Sequence, residues 1–357
     1  MPDDQINITP FTQEITARGE TIYPAINSLQ DAIGHLDGSE FKRWAELDKS
    51  YPDEWQKYRE PFGIWFRGQA DANWQLAPGI FRSKSASGPS YIDETSMTNH
   101  FMLRAAGFGE KCRNTFDWLC LMRHFTLPTR LLDWSENLLV ALYFAVCEHK
   151  DKPGRLFILN ARKLNLVARR SYPAIEKFLP YRAMHGILIP LSIETALRAE
   201  MSRTRSLEHF LSLISSFDRN YVLSHENFNE IKDLFKKNDG EMLKALGTPL
   251  AVFPNRLDSR MVLQQSVFTI HGGNAYPSEK SGSQPLPEPV QLHEVGRGIS
   301  PAEFLREVEV PAGSKDQIIK QLEYMGIHEG SLFPELDHQA AYIRTKWEFD
   351  VGKAASA

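Results

Sequence analysis

Cysteine is scarce in this chain: Cys112, Cys120 and Cys147 are the only three among 357 residues. So few thiols, odd in number, cannot form a disulfide framework. The start, Met1-Pro2-Asp3-Asp4-Gln5, is acidic and polar, with no apolar leader. Together these predict reducing, cytoplasmic surroundings. Long apolar runs are also missing. The longest runs from Leu138 to Cys147, well short of the ~20 residues that span a bilayer, so no membrane partner is expected. Excess charge of one sign is missing too. The 41 basic and 45 acidic residues leave a net −4, which provides no global field for steering onto nucleic acid. No Cys/His cluster has zinc-ligand spacing, so no metal is expected. There is no Walker loop, no G-x-G-x-x-G, no G-x-S-x-G and no H-E-x-x-H. Internal repeats and heptads are absent.

What remains is an ordinary globular composition, 42% hydrophobic and 24% charged, in a chain long enough for two to three domains or one large one. Residues 1–61 read as an N-terminal arm and helices, with apolar positions at Ile26, Leu29 and Ile33, then Phe41, Trp44 and Leu47. Residues 62–160 carry strand signals at Gly63 to Phe66, Thr129 to Trp134 and Arg155 to Leu159. Between them lie a helix from about Lys111 to Phe125 and another from Ser135, its predicted N-cap, to about His149. The second is apolar almost all round and must be buried. Residues 161–247 read as a helical insertion. Residues 248–345 bring back strands at Leu250 to Phe253, Met261 to Ile270 and Phe304 to Val310. Helices follow at Lys315 to Tyr324 and Leu336 to Trp347, and 346–357 is a tail. The expected fold is α+β: a mixed or antiparallel sheet core with a helical insertion lobe.

Three stretches place polar residues where the pattern predicts burial. Phe66-Arg67-Gly68-Gln69 ends a strand. An arginine beside a glycine suits close approach of a phosphate or carboxylate, and suits equally a plain ion pair. His124 to Ser135 packs His124, Thr126, Thr129, Arg130 and Asp133 just ahead of the buried helix, whose N-terminus could receive an anion. The structural alternative pairs Arg130 with Asp133 and leaves His124 capping the preceding helix. Arg260 to His271 contains Gln264-Gln265 in a strand-like run. Neighbours on a strand alternate faces, so one of the two amides must point inward and be satisfied. Glu307 and Glu309 share a strand face and read as solvated acids. Cys112 and Cys120 read as core rather than redox-active.

The three stretches together resemble the FRG domain family, named for the (Phe/Tyr)-Arg-Gly motif seen here as Phe66-Arg67-Gly68. The resemblance continues through Trp74, Leu76, Pro78 and Arg82. It is strongest at Leu127 to Trp134 and Ala141 to Ala145, and resumes at Arg260 and Gln264 to Phe268. It extends over roughly 62–340, less the insertion. Arg123 and Ser266 depart from the usual glutamine and glycine. This largely uncharacterised family occurs in bacterial and phage contexts.

A fainter resemblance is to the ADP-ribosyltransferases, whose aromatic-Arg-Gly strand, Ser/Thr strand with an Ala-Leu-x-Phe-Ala helix, and glutamate-bearing strand come in the same order. It implies an ADP-ribosyltransferase-like core that uses NAD as substrate. Arg67 would hold the pyrophosphate with Gly68, Gln69, Asp133 and Ser135 nearby. Arg130 would either help or hold Asp133. Thr129 would shape the nicotinamide pocket. Gln265, with Gln264 as runner-up, would take the glutamate position, and His124 joins the catalytic candidates. No glutamate lies in that strand, and a glutamine cannot supply the negative charge that stabilises an oxocarbenium ion.

Three functions follow from these resemblances. The first is an NAD-using transferase or glycohydrolase acting as a toxin or phage-defence effector on a protein or nucleic-acid acceptor. The second is a sensor that binds a nucleotide or phage-derived ligand without turnover. The third is a nuclease-like toxin using His124, Asp133 and His271.

Overall fold

The computed structural model describes residues 14–15, 21–46, 63–82, 92, 94–105, 107, 112, 115–171, 248–272, 291–295 and 300–348. Near the N-terminus, β1 (Glu14–Ile15) pairs antiparallel with β2 (Thr21–Ile22). The predicted N-terminal helices are α1 (Leu29–Asp37), capped by the Ser28 side chain, and α2 (Ser39–Ala45). Residues 47–62 of that segment lie outside the described residues.

The core is built from β3 (Ile64–Gln69), α3 (Glu94–Arg104), α4 (Thr115–His124), β4 (Leu131–Ser135), α5 (Leu138–Val146) and β5 (Gly154–Asn160). It continues through α6 (Ala161–Ser171), β6 (Leu250–Val252), α7 (Ser259–Leu263), β7 (Ser266–Ile270) and β8 (Leu305–Val310). The chain's last helices are α8 (Lys315–Tyr324), α9 (Glu329–Leu332) and α10 (Leu336–Trp347). Six strands form one sheet in the order β6-β7-β4-β3-β5-β8, every neighbouring pair antiparallel. The expected insertion, 161–247, would include α6, but α6 packs into the core through Leu164 and Val167; residues 172–247 lie outside the described residues.

Apolar clusters cover both faces of the sheet. Along β5, Leu156 and Ile158 join Phe66, Ala141 and Ile318 on one side. Phe157 and Leu159 join Trp65, Leu164 and Leu305 on the other. Burial on both faces is why β5 reads as a continuous apolar run.

Gly68 and Gly154 seat the buried helix on the sheet. A Cβ at Gly68 would lie 1.8 Å from the Ala141 carbonyl oxygen, and one at Gly154 would lie 2.4 Å from that of Ala145. The glycine after Arg67 therefore serves helix packing, where the sequence suggested close approach of a ligand. The buried Lys315 locks the far end of this unit by donating to the carbonyls of Ala70, Glu148 and His149 at 2.6, 3.1 and 2.9 Å.

Three local expectations are corrected. Asn137, not Ser135, caps α5: its Oδ1 accepts the Leu139 N–H at 2.9 Å, and the helix ends at Val146. Ser135 belongs to β4, and its Oγ accepts the Asn137 N–H at 3.0 Å. The run from Met261 to Ile270 is not one strand. Asp258 caps a short helix by accepting the Met261 N–H at 2.8 Å, and the strand begins only at Ser266. That cap offsets the β-propensity of Val262. Arg130 and Asp133 do not satisfy each other. Arg130 donates to Glu94 and Asp133 accepts from Arg123, because residues three apart in this extended segment point to different surroundings.

Candidate functional site

The sheet parts at its centre. β3 and β5 stay in register from Ile64↔Asn160 to Gln69↔Arg155, and β4 and β7 from Leu131↔Ile270 to Ser135↔Ser266. Between β3 and β4 only Phe66↔Ser135 pairs. Backbone groups beyond that point need other partners. The Arg67 side chain supplies one, donating from Nη1 to the Asp133 carbonyl at 2.7 Å.

A cavity of about 490 Å³ opens here. Arg67, Gly68, Asp133 and Ser135 line it from the parted strands, and Arg123 and His124 from the last turn of α4. Ala141, Tyr143 and Phe144 line it from α5, and Arg260 and Gln264 from α7 and its C-cap. Trp74 and Phe333 add aromatic surface. The size falls within the ~300–1,000 Å³ of small-molecule sites.

Cations dominate the Asp133 end. Arg123 grips the carboxylate in fork geometry, Nε to Oδ1 and Oδ2 at 3.0 Å each and Nη2 to Oδ2 at 2.7 Å. Arg67 stands 3.7 Å from the same Oδ2. Burial would raise the Asp133 carboxyl, but Arg123 and then Arg67 hold it below the usual carboxylate range. Arg67 is drawn down to about 10 by burial; Asp133 opposes that, and the charges of Arg82 and Arg123 add to it. It stays charged near neutrality. Two guanidinium groups thus bear on one carboxylate, and the buried Arg67 Nε has no hydrogen-bond partner among the described residues. Glu148 and Glu329 line the cavity elsewhere, but at this end two cations with fixed donors outweigh one carboxylate, which suits an anion.

His124 links three elements at the cavity edge. Its Nδ1 lies 3.4 Å from Asp258 and its Nε2 3.9 Å from Glu335. Contact with Asp258 raises the imidazole above its ordinary value despite burial. Two residues on, Thr126 holds φ 64° as α4 closes, an uncommon conformation for a β-branched residue and one that marks local strain.

Of the residues singled out from the sequence, the structure brings Arg67, Gly68, His124, Asp133, Ser135 and Gln264 to this cavity. Five others lie outside its lining. Gln69 is buried at the end of β3, its Nε2 3.4 Å from the Gln75 carbonyl. Thr129 is buried, its Oγ1 accepting the Leu131 N–H at 3.3 Å. Arg130 is buried against Glu94 and also donates to the His271 carbonyl at 2.8 Å. Gln265 occupies a turn at φ 46°, its carbonyl accepting the Glu136 N–H at 3.1 Å. The Gln264 amide donates to the Leu332 carbonyl at 3.2 Å. His271 sits apart from His124 and Asp133, in the core. Its Nε2 is 2.9 Å from Thr269 Oγ1, and burial with the charges of Arg130 and Arg67 pushes it down to about 3. Burial raises the thiols of Cys120 and Cys147, so both favour the unreactive protonated form.

Sequence reasoning passed over Arg123 and Asp258 as working residues, and Phe333 as part of a site. The signals were an arginine in the last turn of an amphipathic helix and an aspartate directly before Ser259-Arg260-Met261, an N-cap pattern. Nothing local marks Phe333. Among the described residues, no group of three His, Cys, Asp or Glu side chains is placed to hold a metal ion, and no helix is long and apolar enough to cross a membrane.

Residues 63–153 match the FRG domain family. No curated protein and no solved structure matches the chain. The matched span includes Arg67, Arg123, Asp133 and Tyr143; Arg260, Gln264 and Phe333 come from beyond it.

Proposed function

We propose that this FRG-domain chain is a nucleotide-binding module, with the ligand's phosphate on Arg67 and Arg123 and its rings among the aromatic side chains of the same cavity. The observation that carries this reading is the pair of arginines on one carboxylate at the cavity wall, with the Arg67 Nε buried and without a hydrogen-bond partner among the described residues. An arginine fork matches phosphate geometry, and aromatic walls suit a flat heterocycle. Tyr143 keeps its proton, since burial and then the charges of Cys147 and Glu329 raise it.

NAD remains the first ligand to try, because the order of the three segments still resembles an ADP-ribosyltransferase-like core. Turnover would need a carboxylate free to stabilise positive charge at the ribose. No glutamate lies in the strand Ser266–Ile270, Gln265 sits in a turn outside the cavity lining, the Gln264 amide is engaged by Leu332, and Asp133 is gripped by Arg123. These features favour the sensor over the transferase or glycohydrolase, and a cytoplasmic sensor of a nucleotide signal in phage defence is the setting we favour. Titration calorimetry of the full chain with NAD, AMP and pyrophosphate, with chromatography for free nicotinamide, tests it. The expected result is saturable nucleotide binding competed by pyrophosphate, without nicotinamide release. Steady nicotinamide release would restore the enzyme reading, and no binding of any of the three would overturn the site.

A further inference from the structure

Among the described residues, Arg260 is the cavity arginine with no acidic partner. Its guanidinium carbon lies 4.5 Å from the centroid of the Phe333 ring. Among the described residues that guanidinium makes no hydrogen bond and no ion pair. Its nearest acid in sequence, Asp258, faces His124 and caps α7. Phe333 therefore holds the cation by its π face, and the N–H groups stay unspent. One helical turn on, Gln264 donates its amide to the Leu332 carbonyl, the residue next to Phe333. Its Oε1 accepts from none of the described residues. Arg260 and Gln264 thus share one helix face, meet one two-residue segment, and both line the cavity. The two side chains together offer a fork of donors beside a free acceptor. The Gln264 carbonyl also accepts from Ser135 Oγ at 2.7 Å, which ties this corner to the strand that carries Asp133.

We infer that Arg260 and Gln264 read the base of the bound nucleotide and select an oxopurine, guanine or hypoxanthine, over adenine. The inference rests on the phosphate reading given above. Arginine pairs with guanine O6 and N7, both acceptors. An oxopurine then offers an N1–H donor on the adjoining Watson–Crick edge, on the other side of O6, for the glutamine oxygen. Adenine puts an amino donor where O6 would be, so the guanidinium faces one acceptor beside a donor. A site whose hydrogen-bonding groups are left unpaired rejects the wrong ligand strongly.

Titration of the full chain with GMP, IMP, AMP and pyrophosphate decides it. GMP and IMP should bind at least tenfold more tightly than AMP. Arg260→Ala should bring GMP down toward the level of AMP, weakening GMP at least tenfold more than AMP or pyrophosphate. Gln264→Met should narrow the same gap. AMP binding as tightly as GMP, or equal weakening of all ligands by Arg260→Ala, overturns the inference and leaves the phosphate site standing. If pyrophosphate and all three mononucleotides fail to bind, both readings fall together.

Discussion

The Arg67 guanidinium donates to the backbone carbonyl of Asp133 at 2.7 Å, at the point where β3 and β4 stop pairing. One side chain thus closes a gap in the sheet ladder and places its remaining donors in the cavity that the gap creates. Its structural and ligand roles share a single group, so a substitution there reports on both.

Arg67→Ala should lower affinity for a phosphate-bearing ligand roughly tenfold to a hundredfold, from the loss of about 1.5–3 kcal/mol of charged hydrogen bonding. Arg67→Lys should not restore it, since an ammonium lacks the fork. The Asp133 carbonyl also loses its donor, so a stability loss of about 1 kcal/mol should accompany the alanine variant. Calorimetry on the folded fraction separates the two. Unchanged affinity per folded molecule would make Arg67 structural only.

Gly68→Ala should be among the most damaging single methyl additions in the chain. The new Cβ would sit 1.8 Å from the Ala141 carbonyl oxygen and 2.5 Å from the Ala145 nitrogen, both backbone atoms of α5. The helix must lift from the sheet, at a cost on the order of 4 kcal/mol. Urea unfolding and soluble yield check this. A variant of wild-type stability would mean that α5 does not lie where the structure places it.

Arg130→Met should destabilise by about 3–5 kcal/mol, because it leaves the buried Glu94 carboxylate unpaired. Adding Glu94→Leu should recover most of the loss. The double variant should bind nucleotide like the wild type, since neither residue lines the cavity. Weak ligand binding by a well-folded double variant would instead draw Arg130 into the site.

Acid should weaken the fold through His271. Its folded value of about 3 lies far below the ordinary 6.5. Between those values the unfolded chain takes up a proton that the folded chain refuses. Stability therefore falls as pH drops below about 6.5, by up to ~1.4 kcal/mol per pH unit. His124 acts in the opposite sense. Its raised value adds stability that is fully present below about 6.5 and lost as pH rises through the folded value. His271→Asn should flatten the loss of stability between pH 7 and pH 5 in urea titrations. An unchanged slope would show that His271 is not the group responsible.

Local pattern alone determined much of this molecule. The all-round apolar stretch from Leu138 had to be a buried helix, strands and helices were both legible as the α+β expectation had them, and α10 runs from Leu336 to Trp347 as the sequence predicts. The Phe-Arg-Gly stretch and Asp133 stood out because charge interrupted strands that had to be buried. Partner choice was not legible. Arg130 and Asp133 are three apart in the chain, yet Arg130 finds Glu94 on a separate helix and Asp133 finds Arg123 at the end of another. The glutamine pair looked like strand until the Asp258 cap and the turn at Gln265 redirected it. Gly68 looked like an opening for a ligand; it lines the cavity, but what its missing side chain makes room for is a helix. Phe333 meets Arg260 only because α9 ends beside α7. Periodicity reports the face a side chain takes on its own element, since backbone geometry repeats locally. Which charge meets which, and where a sheet parts, depends on how distant elements pack, and only the tertiary structure decides that.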